Sequence, residues 1–117
     1  MAKRGERVAP PPRQGDWELR FTTSEAARGW EDLCSQAPAS TRDCYDALSR
    51  DPRDRAASSS RQHPLKGELA TRVLMGTKLE QWQYEVTGAG RVWYCIDDQH
   101  RRVLLTLATT GHPKSTE

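Results

Sequence analysis

The chain has 117 residues, 18 Lys/Arg against 16 Asp/Glu, a net charge of +2 and a hydrophobic share of only 35%. That length suits one domain with an economical core, and no apolar run approaches the roughly 20 residues needed to cross a bilayer. The basic start lacks an apolar h-region, so the expectation is a cytoplasmic protein without a signal peptide or membrane span.

Three cysteines, Cys34, Cys44 and Cys95, are an odd number with no C-x-x-C spacing. All three fall inside apolar patterns, which predicts buried free thiols in a reducing compartment. Residues 1–16 carry four Lys/Arg against two acids, residues 17–60 six against eight, and residues 61–117 eight against six. An acidic helical half facing a basic sheet half permits nucleic-acid binding without demanding it, because dedicated binders are usually far more basic.

Residues 1–15 are basic, contain three consecutive prolines and lack periodicity, which predicts a disordered or polyproline arm. The arm reads either as a solvated tail or as a segment that touches RNA phosphates. Residues 16–117 are expected to form a single domain. Residues 16–22 (D-W-E-L-R-F-T) alternate, with Trp17, Leu19 and Phe21 on one side of a half-buried strand. Thr22 and Glu25 have capping-box spacing, and Ala27, Trp30, Leu33, Cys34 and Ala37 form an amphipathic helical stripe. Pro38 ends that helix. Ser40 or Thr41 is expected to cap a second one, with Cys44, Tyr45 and Leu48 inward and a stop at Asp51-Pro52.

Residues 53–62 are polar and small, a surface loop running up to His63-Pro64-Leu65-Lys66-Gly67. Residues 68–74 read as a short strand or an irregular edge. Residues 79–114 then give three β-rich runs joined by G-A-G and D-Q-H-R, an antiparallel meander. Trp82, Tyr84 and Val86 share one face with Val92, Tyr94 and Ile96. Gln81, Gln83, Glu85, Arg91, Trp93 and Cys95 share the other. Residues 103–107 are nearly continuously apolar, as in a central strand covered on both faces. The predicted fold class is α+β in two layers: an N-terminal strand and a helical hairpin packed on a mostly antiparallel sheet that ends in the meander.

Arg91 opens the second run of the meander and can grip a phosphate in a bidentate pair; the plain alternative is an exposed arginine paired with Glu85 or Asp97. His112, in T-G-H-P-K, and His63, in H-P-L-K, have the right pKa for acid/base work, or are ordinary surface histidines. With Lys66 and Lys114 they suit metal-free cleavage of a phosphodiester, in which one group takes the 2′-hydroxyl proton and another protonates the leaving 5′-oxygen. Trp93, beside Arg91, is a candidate for contact with a base. No zinc or magnesium ligand set and no phosphate-binding glycine motif presents itself, so no cofactor is expected.

The order of elements, L-K-G before the sheet, the hairpin W-Q-Y-E-V-T-G-A-G-R-V-W-Y-C-I-D and the terminal V-L-L-T-L-A-T-T-G-H resemble the RelE/ParE toxin superfamily of bacterial type II toxin–antitoxin systems. The similarity spans residues 17–114. In the RelE and YoeB branches it implies a ribosome-dependent mRNA endonuclease that cuts in the A site by 2′-hydroxyl attack. By position, Arg91 matches the arginine that binds the scissile phosphate, and His112 a C-terminal general acid. His63 stands where a glutamate is thought to act as base, and Lys66 lies in the basic loop. Trp93 and Lys114 are assigned to RNA contact alongside Lys66. Implied partners are an antitoxin, the ribosome and mRNA, with operator DNA reached through the antitoxin. The chain departs from the pattern at Pro113, which follows His112 where the family carries a tyrosine. The resemblance also admits a ParE-like inhibitor of DNA gyrase that cleaves no RNA, or an inactive relative serving as an interaction module.

Overall fold

A computed structural model of the chain describes residues 2–54 and 61–111. It is α+β, with two helices on one face of a mostly antiparallel six-stranded sheet. In chain order the elements are β1 (Glu18–Phe21), α1 (Ser24–Gln36), α2 (Pro38–Arg50), β2 (Gln62–Pro64), a 3-10 turn (Gly67–Ala70), β3 (Thr71–Leu74), β4 (Thr77–Glu85), β5 (Arg91–Asp97) and β6 (Arg102–Thr109). Across the sheet the order is β1-β6-β5-β4-β2, and β3 pairs with the first half of β4. β1 runs parallel to β6, which makes β6 an interior strand and accounts for its apolar sequence.

The alternation read from the sequence sets the faces. Trp82 pairs with Tyr94 and Tyr84 with Val92, all buried against the helices, with Ile96, Val103 and Leu105 completing the layer. Ala26, Ala27, Trp30 and Leu33 of α1 and Cys44, Tyr45 and Leu48 of α2 meet them from above. Gly29 lets α1 lie directly on the backbone of β6. A Cβ built there would stand 1.8 Å from the Ala108 carbonyl oxygen.

Several local expectations shift. Thr23, not Thr22, caps α1, accepting a hydrogen bond from the Ala26 N–H, while the Thr22 hydroxyl donates to the Leu105 carbonyl. α2 begins at Pro38 itself, because a proline at the first helical position gives up an N–H that would be unpaired anyway. Thr41 is left to donate its hydroxyl to the Leu33 carbonyl and so ties α2 to α1. Residues 68–74 divide into the 3-10 turn and a true strand, β3, joined to β4 through Met75 and Gly76, both at positive φ.

Residues 2–15 do not form the detached arm expected from their composition. Val8 is 1% exposed and belongs to the core, its N–H bonded to the Leu19 carbonyl. Gly5 and Glu6 bond to Phe21, and the Tyr45 hydroxyl donates to the Pro10 carbonyl. The stretch lies along the outer edge of β1 and satisfies backbone groups that an open edge would expose. One apolar side chain and the backbone accomplish this, so composition gives no sign of it.

Cys44 and Cys95 are buried as expected, but Cys34 is exposed near the end of α1. Among the described residues no helix is long and apolar enough to cross a membrane.

Candidate active site

The helices cover one face of the sheet; among the described candidates, His63, Arg91 and Trp93 belong to the other. β2 and β5 flank β4 in fixed register, His63 opposite Gln83 and Gln83 opposite Trp93, so one row of side chains crosses three strands. The next row joins Glu85 to Arg91 and Arg91 to Thr109, with Arg61 beyond Glu85, its carbonyl accepting from the Glu85 N–H and its guanidinium donating to the Glu85 carbonyl. His63 is therefore in a three-residue edge strand rather than in a loop. Pro64 is tolerated there because a short edge strand requires few donors.

The chemistry of the first row follows from its donors. The indole N–H of Trp93 can only donate, and it lies 2.8 Å from Gln83 Oε1. That bond turns the Gln83 amide so that Nε2 faces His63 Nε2 at 3.4 Å. The same imidazole nitrogen stands 3.4 Å from Glu85 Oε2, while Nδ1 faces the Pro64 carbonyl at 3.5 Å. His63 Nε2 thus meets a donor and an acceptor at equal distance. With the proton on Nδ1, Nε2 accepts from Gln83; with both nitrogens protonated, it donates to Glu85. The imidazole has a partner on either side of a proton transfer, which is what a general base or acid needs. About a third of each side chain is exposed, 38% for His63 and 32% for Glu85, so a substrate can reach them.

A shallow groove of about 220 Å³ runs beside this pair, lined by His63, Pro64, Leu65, Lys66, Leu69 and Gln83. Its wall is the 3-10 turn, held over the sheet by Gln81. The Gln81 amide donates to the Leu69 carbonyl at 2.9 Å, and its oxygen accepts from Thr106 at 2.6 Å. Thr106 is the extra residue of a bulge opposite Trp93 and Tyr94. Lys66 is exposed at the head of the turn, as a phosphate contact must be.

Two of the sequence candidates are differently disposed. Arg91 is buried at 8% exposure, with Nη1 donating to the carbonyls of Thr87 at 3.0 Å and Gly90 at 2.9 Å. It braces the β4–β5 turn from within instead of standing exposed at a substrate. Trp93 is only 4% exposed, so it orients Gln83 rather than offering a stacking surface. His112 and Lys114 lie outside the described residues. Sequence reading missed Glu85 and Arg61 as site residues. Glu85 shows as polar in the alternation, but its partnership depends on His63 belonging to a strand, which three residues ending in proline do not announce.

The two buried cysteines are poor nucleophiles. Burial pushes the Cys95 thiol up to about 11, with Arg72 opposing, and holds Cys44 well above the ordinary thiol range. Among the described residues no group of three or more His, Cys, Asp or Glu is placed to hold a metal ion.

Comparison with protein-family models finds no match, and comparison with curated proteins finds none.

Proposed function

We propose that this chain is a RelE-like toxin of a type II toxin–antitoxin system, an endoribonuclease acting in the cytoplasm on ribosome-bound mRNA and restrained by an antitoxin. The reading is carried by His63 Nε2, which stands between the Glu85 carboxylate and the Gln83 amide at 3.4 Å from each. His63 takes the proton of the 2′-hydroxyl, and Glu85 stabilises the imidazolium that results. The freed oxyanion attacks the adjacent phosphate and the 5′-oxygen leaves, protonated by a general acid. His112 remains the candidate for that role. The exposed cations Lys66 and Arg61 are the first choices to hold the phosphate; Arg91, with one nitrogen committed to the turn, adds fixed positive charge. The α+β layout, with a strand and two helices before a mostly antiparallel sheet, supports this reading, and β2 is a strand beyond the expected order.

The intramolecular commitment of Arg91 and Trp93 favours a second reading, a non-cleaving relative that inhibits gyrase or acts as an interaction module. Primer extension on an mRNA translated in a reconstituted system separates the two. Cuts inside the A-site codon, lost with His63→Ala, support the nuclease. Intact mRNA with wild type removes it and directs attention to gyrase supercoiling.

A further inference from the structure

The β3–β4 hairpin continues past the end of the β4–β5 ladder, and its tip carries the most exposed large apolar side chains among the described residues. Val73 is 64% exposed and Met75 91% exposed. Met75 is unfavourable there twice over. It gives an apolar group to water, and its φ of 49° puts a flexible unbranched side chain in the left-handed region that suits Gly or Asn. A residue that breaks two local rules without a gain inside its own fold calls for a role outside it.

Beneath the tip lies a groove of about 500 Å³, distinct from the His63 groove, with Leu74, Met75 and Leu104 as its apolar surface and Phe21 along its wall. Its rim is basic. Arg20 and Arg102 share one carboxylate, Glu18, at 2.8 and 3.2 Å, and Arg4 stands at the same rim on the docked N-terminal stretch. Two guanidinium groups on one carboxylate, with Arg4 at the same groove, leave an excess of positive charge beside an apolar floor.

We propose that this groove docks an acidic, apolar peptide segment of a partner protein, its carboxylates meeting the arginine rim and an aliphatic side chain entering under Met75. The apolar floor and the exposed methionine favour a peptide over RNA, since phosphates would use the rim alone. The inference does not depend on the nuclease reading.

The test uses the full chain and three fluorescein-labelled 12-residue peptides: alternating Glu and Leu, alternating Lys and Leu, and alternating Glu and Ser. Anisotropy titrations should show saturable binding of the Glu/Leu peptide alone, at least fivefold weaker for Arg4→Glu and for Met75→Asn. Asn suits the positive φ, so Met75→Asn keeps the hairpin, and circular dichroism checks that both variants fold. In amide spectra the peptide should shift Phe21, Leu74 and Leu104. Equal binding of the three peptides, no binding, or unchanged affinity in both variants overturns the proposal. So does a 12-nucleotide RNA that shifts the same amides and displaces the peptide. A protein that binds the peptide yet leaves mRNA intact retains this inference and loses only the nuclease, so the two fail separately.

Discussion

His63 and Glu85 lie on neighbouring strands, two residues out of register, with imidazole Nε2 3.4 Å from carboxylate Oε2 and the Gln83 amide equally close on the other side. On the proposed nuclease reading, each partner in that arrangement has a separable job. His63→Ala should lower mRNA cleavage by about 100-fold or more, the range of a lost general base. Glu85→Gln should cost less, because it removes the charge behind the imidazolium but keeps a polar group. Trp93→Phe should cost about tenfold by freeing Gln83 to turn. Urea unfolding should leave His63→Ala near wild type, since the side chain is more than a third exposed. A large stability loss in that variant would mean the pair is structural.

Arg91→Ala is expected to behave quite differently. Its Nη1 satisfies two carbonyls at the β4–β5 turn, so truncation should destabilise the fold by about 1–3 kcal/mol, the cost of leaving buried polar groups unpaired. The urea midpoint should fall while the slope stays constant. An unchanged midpoint would restore the exposed, substrate-facing arginine that the sequence suggested.

Gly29 sets the distance between the helical layer and the sheet. Gly29→Ala brings a methyl group to 1.8 Å from a backbone oxygen, which no side-chain rotation relieves. α1 must lift from β6, at a cost of about 3 kcal/mol for overpacking a filled core. Thermal unfolding reads this directly, and a more stable Gly29→Ala protein would show that α1 is not seated on β6.

Much of this architecture was legible in the sequence, for definite reasons. Trp82, Tyr84 and Val86, and Val92, Tyr94 and Ile96, alternate with polar or smaller residues, so their faces followed from the two-residue period. The helices showed in the spacing of Trp30, Leu33, Tyr45 and Leu48. What stayed hidden depends on long-range pairing. Val8 joins the core through one side chain in a stretch rich in proline and charge. The Met75-Gly76 turn uses a residue that turns rarely employ. Of the site, His63, Lys66, Arg91 and Trp93 were picked out by residue type, but the roles of Arg91 and Trp93 depend on bonds only the fold creates. Glu85 acquired a partner only once β2 was paired with β4.

Acid and thiol chemistry test the surface and the burial together. The hydrogen bond from Arg53 holds the Asp98 carboxyl below its ordinary pKa, and that from Arg20, aided by Arg102, does the same for Glu18. Groups lowered in the folded state stabilise it above the ordinary carboxylate range, and that contribution is lost as pH falls through the lowered value. The melting temperature should therefore drop below about pH 4, and less steeply in the Asp98→Asn, Glu18→Gln double variant. At pH 8 a disulfide reagent should label Cys34 alone in the native protein and all three cysteines in denaturant. Rapid native labelling of Cys44 or Cys95 would contradict their burial.

The proposed nuclease cuts a phosphodiester by 2′-hydroxyl attack, and the ends of the cleaved RNA report that step. An mRNA fragment produced by the wild-type protein on ribosomes, with EDTA added after complex formation at a level that leaves the ribosome intact, should carry a 2′,3′-cyclic phosphate on one side and a 5′-hydroxyl on the other. That pair of ends requires attack by the 2′-hydroxyl, the step assigned to His63. A 3′-hydroxyl with a 5′-phosphate, or no fragment at all, would rule out that step and the role of His63 in it.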